Sequence, residues 1–295
     1  MNNNPLVSVL IATHNRPEYF EQALISALSQ SYSNIEIIVC DDSTDYRTKT
    51  IAEKYMQVYK NIKYFFNGGQ LGQYGLVNMQ KCYSLANGEF INYLNDDDIF
   101  DRYKIEKMIQ CFYIYENIKL VTSHRGIIDG NGNLQPDIDV TKPIENMNQS
   151  ITGISAIGKL IMQGNFIGEP TTVLFRKRDV TSFGFLNQRQ FYALVDIATW
   201  ISLLLTGNFV YMSDTLSYFR IHGAQNTMLP EIRIKMILES LILVDYGYSI
   251  NAIPADFYSR FYFECISLIK GYVPTIISNP NFKQYWPILK KLKMV

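Results

Sequence analysis

The chain has 295 residues and no net charge, because 27 Lys and Arg residues balance 27 Asp and Glu residues. Hydrophobic residues make up 47% of it and charged residues 18%, a composition typical of a folded globular protein that excludes an intrinsically disordered one. The zero net charge disfavours a nucleic-acid-binding protein, which needs a basic surface, and the length predicts one large domain or one domain with an appended part.

Strand and helix patterns alternate over the first 125 residues. The apolar run at 7–12 predicts a strand rather than a signal peptide, because it lacks a basic flank before it and leads into Thr-His-Asn-Arg. Further strands are predicted at 35–40, 62–66, 89–94 and 119–123. Helices are predicted at 17–30, 47–59, 76–85 and 102–115. These repeated units predict an α/β fold with a mainly parallel sheet covered by helices on both faces.

The second half has a less regular pattern. A turn signal at 129–133 precedes a polar segment at 134–150, which we expect to form a mobile loop. Helices are predicted at 152–163 and 196–206, and strands at 171–175, 208–212 and 216–221. After Pro230 the pattern is helical, with breaks expected at Gly247, Pro254 and 271–274. We therefore expect a catalytic α/β domain over 1–225 and a helical C-terminal appendage over 226–295.

Polar residues follow three of the predicted strands at the points where they end. They are residues 13–16 after the first strand, Asp41 and Asp42 at the end of the second, and residues 95–98 after the fourth. In open α/β sheets, ligands bind at the carboxyl ends of the strands. The sequence therefore predicts one binding site at this edge of the sheet.

The sequence excludes two common ways of binding a nucleotide. The turn after the first strand has no glycine, so it is not a dinucleotide-binding Gly-x-Gly-x-x-Gly turn, and no P-loop motif occurs. Carboxylates need a divalent cation between them and a phosphate. The Asn95–Asp98 cluster offers the hard oxygen ligands that Mg²⁺ or Mn²⁺ takes together with substrate phosphates.

Six segments, in order along the chain, resemble the family 2 glycosyltransferases, which have the GT-A fold. They are 5–16, 36–43, 86–98, 168–176, 196–200 and 220–225. The third segment resembles the part of the family that contains its Asp-x-Asp motif. The resemblance covers about residues 5–225 and leaves the helical tail out. It implies a GT-A transferase that uses a nucleotide-diphospho-sugar, with UDP as the expected carrier.

The resemblance also implies the residues of the donor site. Asp42 matches the position that accepts a hydrogen bond from the N3–H of uracil, a role that suits an acceptor-only carboxylate. Asp97 matches the metal-binding position and His222 a metal or diphosphate contact, so Mn²⁺ or Mg²⁺ is the expected cofactor. The residues expected at the nucleotide are Thr13, His14, Asn15, Arg16, Asp41, Asp42, Asn78, Asn95 and Asp96.

The implied reaction is an inverting single displacement, in which a hydroxyl of a glycan or lipid-linked acceptor attacks the anomeric carbon. Asp196 matches the family's catalytic Asp and is the expected general base. Gly168, Glu169 and Trp200 are expected on the acceptor side. Surface polysaccharide synthesis is the setting that the resemblance suggests.

Two departures from the family keep an alternative open. The first Asp of the Asp-x-Asp motif is Asn95 here, and Val77 occupies a position where the family often has Arg. Val77 removes one donor contact, whereas the amide of Asn95 can still touch ribose or a metal-bound water, so the change at 95 bears on metal affinity. The alternative is a non-catalytic protein that binds sugar-nucleotides or serves as a partner subunit, which would release no nucleoside diphosphate from any donor.

The tail, the cysteines and the lengths of the apolar runs indicate where the protein is located and what it associates with. Residues 286–295 are basic and apolar, which fits reversible contact with an anionic membrane, or packing against the catalytic domain or a second subunit. No apolar run reaches the roughly 18 residues of a spanning helix. The cysteines lie in apolar stretches without a Cys-x-x-Cys pair, which indicates reduced thiols: Cys40, Cys82, Cys111 and Cys265. We expect a cytoplasmic protein, either free or peripheral at the inner face of the plasma membrane.

Overall fold

A computed structural model describes residues 4–144, 150–223 and 229–294. These residues contain a ten-stranded sheet and a two-stranded hairpin. The strands are β1 Val7–Thr13, β2 Ile35–Asp41, β3 Ile62–Phe66, β4 Phe90–Tyr93, β5 Ile99–Phe100, β6 Ile118–Ile128, β7 Leu134–Gln135, β8 Ser150–Ile151, β9 Leu174–Arg176, β10 Phe185–Leu186, β11 Arg189–Gln190 and β12 Asn208–Arg220. The helices are α1 Pro17–Leu28, α2 Arg47–Met56, α3 Leu76–Leu85, α4 Lys104–Ile114, α5 Gly153–Gln163, α6 Val195–Leu204, α7 Pro230–Ser249, α8 Ala255–Ser278 and α9 Trp286–Lys291.

The main sheet has the order β3-β2-β1-β4-β9-β6-β12-β5 and is mostly parallel. Strands β3, β2, β1 and β4 are parallel, and β12 is parallel to β6. Strand β9 is antiparallel to both β4 and β6, so β6 and β12 point the same way as β1. As a result, the carboxyl ends of β1, β2, β4 and β12 lie at one edge of the sheet, which confirms the predicted fold class.

Both faces of the sheet are covered, because successive side chains of β1 and β2 enter different cores. Leu10 and Ile38 pack on one face with residues of α3, α5 and α6. Val9 and Ile37 pack on the other face with residues of α1 and α4. All four side chains are fully buried. Burial of each such side chain is worth about 1.5–3 kcal/mol, which explains why these strands are continuous apolar runs.

Three sequence predictions about element ends were wrong. The two strands expected at 208–212 and 216–221 form the single strand β12, which passes an irregularity in its pairing with β6 near Thr215. Gly247 lies inside α7, where a Cβ would meet Ile161 of α5 at 2.5 Å. It therefore allows close helix packing and does not end the helix. Pro274 lies inside α8 and does not end it. Ile269 before the proline and Ile276 after it are both buried. The break at Pro254 is confirmed, because α8 begins at Ala255.

The tail forms its own small core and also packs on the α/β part. Ile234 and Leu238 of α7 pack with Ile269 of α8 and Phe282. Leu243 of α7 belongs instead to the core that contains α5 and α6. The boundary expected at 225/226 and part of the expected 134–150 loop lie outside the described residues. Within the part that is described, no helix is both long and apolar enough to cross a membrane.

Candidate active site

An open pocket of about 1020 Å³ lies at the sheet edge where β1, β2, β4 and β12 end. Of the residues expected at the site, the pocket is lined by Thr13, His14, Asn15, Arg16, Asp42, Asn78, Asn95, Asp96, Asp97, Glu169 and Asp196. The tail also lines it, through Leu229, Lys235, Met236 and Asn281. The structure therefore brings most of the predicted site residues into one cavity and adds a wall from the tail.

Asp42 occupies one corner of this pocket with both carboxylate oxygens engaged. Its Oδ1 accepts a hydrogen bond from Asn67 Nδ2 at 2.7 Å, and its Oδ2 accepts one from the Leu71 N–H at 3.1 Å. Asn67 Nδ2 also donates to Asn78 Oδ1, and Asn78 donates to the Cys40 carbonyl. A carboxylate has about four lone-pair sites, so Asp42 keeps acceptor capacity for a further N–H. Asn67 has no signal in the sequence beyond a turn residue after β3.

Asp41 does not line the pocket, contrary to its expected contact with the nucleotide. Its carboxylate is fully buried and accepts hydrogen bonds from the Ser43 N–H at 2.7 Å and from the Tyr64 hydroxyl. Burial and this carboxylate both raise the pKa of Tyr64. Asp41 therefore supports the loop that presents Asp42.

The turn after β1 is joined to the turn after β2 by Asn15, which has a left-handed φ of 53°. Its N–H donates to Ser43 Oγ and its Oδ1 accepts from the Thr44 N–H, which fixes the amide orientation. Asn15 Nδ2 then donates to His14 Nε2, while His14 Nδ1 lies 2.8 Å from the Asp42 carbonyl. These two contacts fix the orientation of the His14 ring beside Asp42. Thr13 lines the same wall, and its carbonyl accepts the Asp42 N–H.

A carboxylate cluster after β4 faces Arg16. The Arg16 Nη1 lies 3.1 Å from Asp96 Oδ1 and 3.0 Å from Asp97 Oδ2. Burial raises the pKa of Asp96 to about 6, the charge of Asp97 adds to the rise, and Arg16 opposes it. One guanidinium thus partly neutralises two adjacent carboxylates.

Asn95 is explained by its neighbour Asp98, which is buried behind the pocket. The Asp98 carboxylate accepts hydrogen bonds from Thr171 Oγ1, from the Arg220 N–H and from Asn95 Nδ2. Burial and the nearby Asp97 raise the pKa of Asp98. An Asp at position 95 would place another negative charge against Asp98, whereas the amide of Asn95 donates a hydrogen bond to it.

Asp97 and His222 form the pair that could bind a metal ion. His222 Nε2 lies 3.0 Å from Asp97 Oδ2, and the His222 ring packs on Tyr19 with centroids 4.9 Å apart. Adjacent ligands of an octahedral ion at about 2.1 Å are about 3.0 Å apart, so this spacing fits two ligands of one Mg²⁺-like ion. Across residues 4–144, 150–223 and 229–294 there is no cluster of three or more His, Cys, Asp or Glu side chains that could hold a metal. The remaining ligands would have to be water or substrate oxygens.

Asp196 lies in the first turn of α6 and lines the same pocket. Its Oδ2 accepts a hydrogen bond from Asn165 Nδ2 at 2.8 Å, and its Oδ1 accepts one from the Ile197 N–H at 2.8 Å. Burial raises the pKa of Asp196 to about 6, and the charge of Glu169 adds to the rise. A pKa near neutrality is the property that general-base catalysis needs. Asn165, which orients this carboxylate, was not identified from the sequence.

Glu169 lines the pocket beside Asp196, whereas Gly168 and Trp200 lie behind it. Arg125, which is buried, forms an ion pair with Glu169 through Nε at 2.8 Å. Gly168 has a φ of 105°, and its carbonyl accepts the indole N–H of Trp200 at 2.9 Å. The expectation that Trp200 faces the acceptor is corrected, because its side chain is 0% exposed and has no open ring face. It holds the turn that presents Glu169.

The tail contacts the turn before α6 through Glu239 of α7. The Glu239 carboxylate accepts hydrogen bonds from three successive backbone N–H groups, those of Tyr192, Ala193 and Leu194, at 2.7–2.9 Å. These residues form the turn directly before α6. One feature of the sequence could have pointed to Glu239. It follows Ile232 by seven residues, so it lies on the apolar face of the helix, where a charged residue is unusual.

The fold and this pocket together define a transferase of the GT-A class, in which one edge of a mostly parallel sheet binds an activated sugar. The chain belongs to glycosyl transferase family 2, because the sequence model described as "Glycosyl transferase family 2" matches residues 8–181. The family expected from the sequence is thereby confirmed.

Relatives with similar sequences carry glycosyltransferase names. An uncharacterized glycosyltransferase of Nostoc sp. is 28% identical over 225 residues, which is 75% of this chain and 66% of that protein. One from Rickettsia typhi is 31% identical over 76% of this chain and 66% of its own length. A Bacillus subtilis protein named for teichuronic acid biosynthesis, TuaG, is 25% identical over 75% of this chain and 81% of its own. The matched part thus spans just under two thirds of the first two relatives.

Solved structures show the same fold at low sequence identity. Residues 1–349 of S. aureus TarS, in complex with UDP-GlcNAc, give a TM-score of 0.63 at 17% identity, over 88% of this chain and 71% of that one. The mannosyltransferase PcManGT of Pyrobaculum calidifontis, with GDP-Man and Mn²⁺, gives 0.58 at 13% identity, over 98% and 76%. These similarities establish the GT-A fold of this chain.

Proposed function

We propose that this glycosyltransferase moves a hexosyl or N-acetylhexosaminyl group, with inversion, from a UDP-sugar to a hydroxyl of a glycan or lipid-linked acceptor. The observation that supports it most is the shared pocket. Asp42, Asp97 and Asp196, whose pKa is raised, all line it, and His222 contacts Asp97 from outside the set of lining residues. A donor, its diphosphate and an attacking hydroxyl each have a matching group there.

The choice of UDP depends on Asp42. Its carboxylate oxygens only accept hydrogen bonds, so the base they bind must present an N–H, as the imide of uracil does. Asn67 holds this carboxylate in place, and Asn78 in turn accepts a hydrogen bond from Asn67. The TarS structure with UDP-GlcNAc is consistent with this carrier, and the GDP-Man complex shows that the fold also accepts another.

Asp97 and His222 would hold Mn²⁺ or Mg²⁺ in this proposal. The metal, when bound, would neutralise the negative charge that develops on the leaving diphosphate. Arg16 contributes a positive charge at the same place through its contacts with Asp96 and Asp97. Asn95 can still bind ribose or a water through its amide oxygen, because its amide nitrogen is the atom that donates to Asp98.

Asp196 would accept the proton of the acceptor hydroxyl. The hydroxyl oxygen forms a bond to the anomeric carbon while the bond to the diphosphate oxygen breaks on the opposite face, and the electron pair leaves with the nucleoside diphosphate. The sugar passes through a state with oxocarbenium character. Asn165 holds Asp196 Oδ2, and Arg125 holds Glu169 beside it.

The biological setting that we propose is surface polysaccharide synthesis, as the printed name of TuaG suggests for that relative. We place the enzyme in the cytoplasm, with peripheral membrane contact or homo-oligomer formation through the tail. Helix α8 supports such a contact, because Phe263 is 69% exposed and Leu268 is 55% exposed. Comparing liposome co-sedimentation of the full chain with that of a Phe263→Asp, Leu268→Asp variant tests the membrane contact, and equal pelleting would contradict it.

The substitution Asp196→Asn tests the proposed reaction. It preserves size and removes the proton acceptor, so we expect nucleoside diphosphate release from the donor to fall about 10²–10⁴-fold. The dissociation constant of the UDP-sugar should stay unchanged, because Asp196 lies on the acceptor wall. Asp214→Asn, an exposed change on β12, is the matched control. A turnover within about threefold of the parent would show that Asp196 is not the base.

The same measurement separates the alternative function. A non-catalytic sugar-nucleotide-binding subunit would bind UDP-sugars in both the parent and the Asp196→Asn variant, and neither protein would release diphosphate. The absence of the family's Arg at Val77 is the feature that favours this alternative. Release by the parent alone would exclude it.

A further inference from the structure

Lys235 of α7 lies in the wall that the tail adds to the pocket. Its side chain is 1% exposed and is surrounded by aromatic rings. Its Nζ lies 4.4 Å from the ring centre of Tyr74, 5.7 Å from that of Tyr192 and 5.6 Å from that of Phe282. Aromatic faces attract a cation, so this cage holds the ammonium group in position.

The nearest carboxylates do not form an ion pair with Lys235. Glu231 accepts hydrogen bonds from the Tyr74 hydroxyl and from Asn279 Nδ2. Glu239 accepts three backbone N–H groups and the Tyr285 hydroxyl. No carboxylate oxygen among the described residues comes within 4.0 Å of Lys235 Nζ. A buried cation without such a partner is costly to the fold, and the aromatic rings around Lys235 offset part of that cost.

The other charges of the pocket show what Lys235 is free to bind. Five carboxylates line the described part of the pocket: Asp42, Asp96, Asp97, Glu169 and Asp196. The two cationic side chains among its described lining residues are Arg16 and Lys235, and Arg16 contacts two of those carboxylates. Lys235 is therefore the cationic side chain among the described lining residues that forms no ion pair with a carboxylate.

We propose that Lys235 binds an oxyanion of a substrate, a phosphate or a carboxylate group. This inference rests on the proposed function and extends it to the class of substrate. Lys235 contacts Tyr192, four residues before Asp196, so it belongs to the acceptor wall, and an acceptor that bears a phosphate or carboxylate is the favoured source. The diphosphate of the donor is the second possible source of this oxyanion.

The test compares Lys235→Met, which keeps the unbranched stem and removes the charge, with Lys235→Arg, which keeps the charge. Lys290→Met, at an exposed lysine of α9, is the control. Titration calorimetry with Mn²⁺ measures the binding of UDP, of uridine and of glycerol 3-phosphate. A charged hydrogen bond predicts a loss of about 10–100-fold in affinity for the anion that Lys235 binds, and a smaller loss in Lys235→Arg.

The outcomes distinguish the two sources. Weaker binding of glycerol 3-phosphate by Lys235→Met, with UDP unchanged, supports an anionic acceptor. Weaker binding of UDP, with uridine unchanged, supports the donor diphosphate. Equal dissociation constants of the parent and Lys235→Met for both anions, or no detectable binding of glycerol 3-phosphate together with unchanged UDP binding, would overturn the proposal. A parent that binds no UDP would instead refute the proposed function, and the glycerol 3-phosphate titration would still decide the role of Lys235.

Discussion

Glu239 offers a prediction that needs no knowledge of the substrate. Its Oε2 accepts hydrogen bonds from the N–H groups of Ala193 and Leu194. Its Oε1 accepts one from the Tyr192 N–H and one from the Tyr285 hydroxyl. In Glu239→Gln, an NH₂ group replaces one of these oxygens. If it replaces Oε1, the Tyr285 hydroxyl can turn and become an acceptor, but the Tyr192 N–H then faces another donor.

The expected loss of stability follows from these four bonds. One buried N–H without an acceptor costs about 1–3 kcal/mol. The two bonds that remain change from charge-assisted to neutral, which roughly halves their strength, so the total loss is about 2.5–6 kcal/mol. Because the broken bond lies in the turn before α6, we also expect slower turnover with little change in donor affinity.

Denaturant unfolding followed by circular dichroism measures this loss. Glu264→Gln, at an exposed glutamate of α8, is the matched control, and it should change the free energy of unfolding by less than about 0.5 kcal/mol. The same small change in Glu239→Gln would refute the argument that the tail carboxylate holds the turn before α6.

Two further predictions concern the titration of Asp196 and the metal pair. The pKa of Asp196 is raised to about 6, so only about 10% of it is ionised at pH 5 and about 90% at pH 7, and turnover per bound donor should fall accordingly as the pH is lowered. A raised carboxyl pKa stabilises the fold at low pH, and this stabilisation is lost as the pH rises from about 4 to about 6. Acid unfolding caused by Asp196 therefore does not explain the fall in turnover at low pH. A flat pH–rate profile between pH 5 and 7 would contradict the assignment of Asp196 as the general base. Asp97→Ala removes the carboxylate of the Asp97–His222 pair, and we expect the Mn²⁺-dependent part of UDP binding to disappear in a calorimetric titration. Asp214→Ala should bind as the parent does, and unchanged Mn²⁺-dependent binding by Asp97→Ala would show that the metal site is elsewhere.

The parts of the fold that the sequence predicted well are those fixed by local chemistry. The apolar runs of β1 and β2 are continuous because both faces of these strands are buried. The polar residues at their carboxyl ends mark the edge of the sheet where the pocket lies. Gly247 and Pro274 were misjudged because their effect depends on packing. The helix containing Gly247 continues because α5 approaches it closely, and that approach has no local sequence signal.

The residues that hold the site were harder to predict than the residues that form it. Asp42, Asp97 and Asp196 follow from the family resemblance and line one pocket. Asn67 and Asn165, which hold two of these carboxylates, lie far from them in sequence and look like ordinary turn residues. Trp200 was expected on the acceptor side, but it is buried and its indole N–H donates to the Gly168 carbonyl inside the core.

Binding of a panel of nucleotide-sugars with Mn²⁺, measured by thermal shift, tests the central claim most directly. A ligand at a hundred times its dissociation constant adds about 2.7 kcal/mol of stability, which is readily detected. We expect UDP-sugars to raise the melting temperature, one of them more than the rest, and we expect ADP-glucose to leave it unchanged, because adenine presents a ring-nitrogen acceptor where uracil presents the N–H that Asp42 accepts. An equal rise with every carrier would contradict the role of Asp42, and no rise with any UDP-sugar would contradict the proposed donor site as a whole.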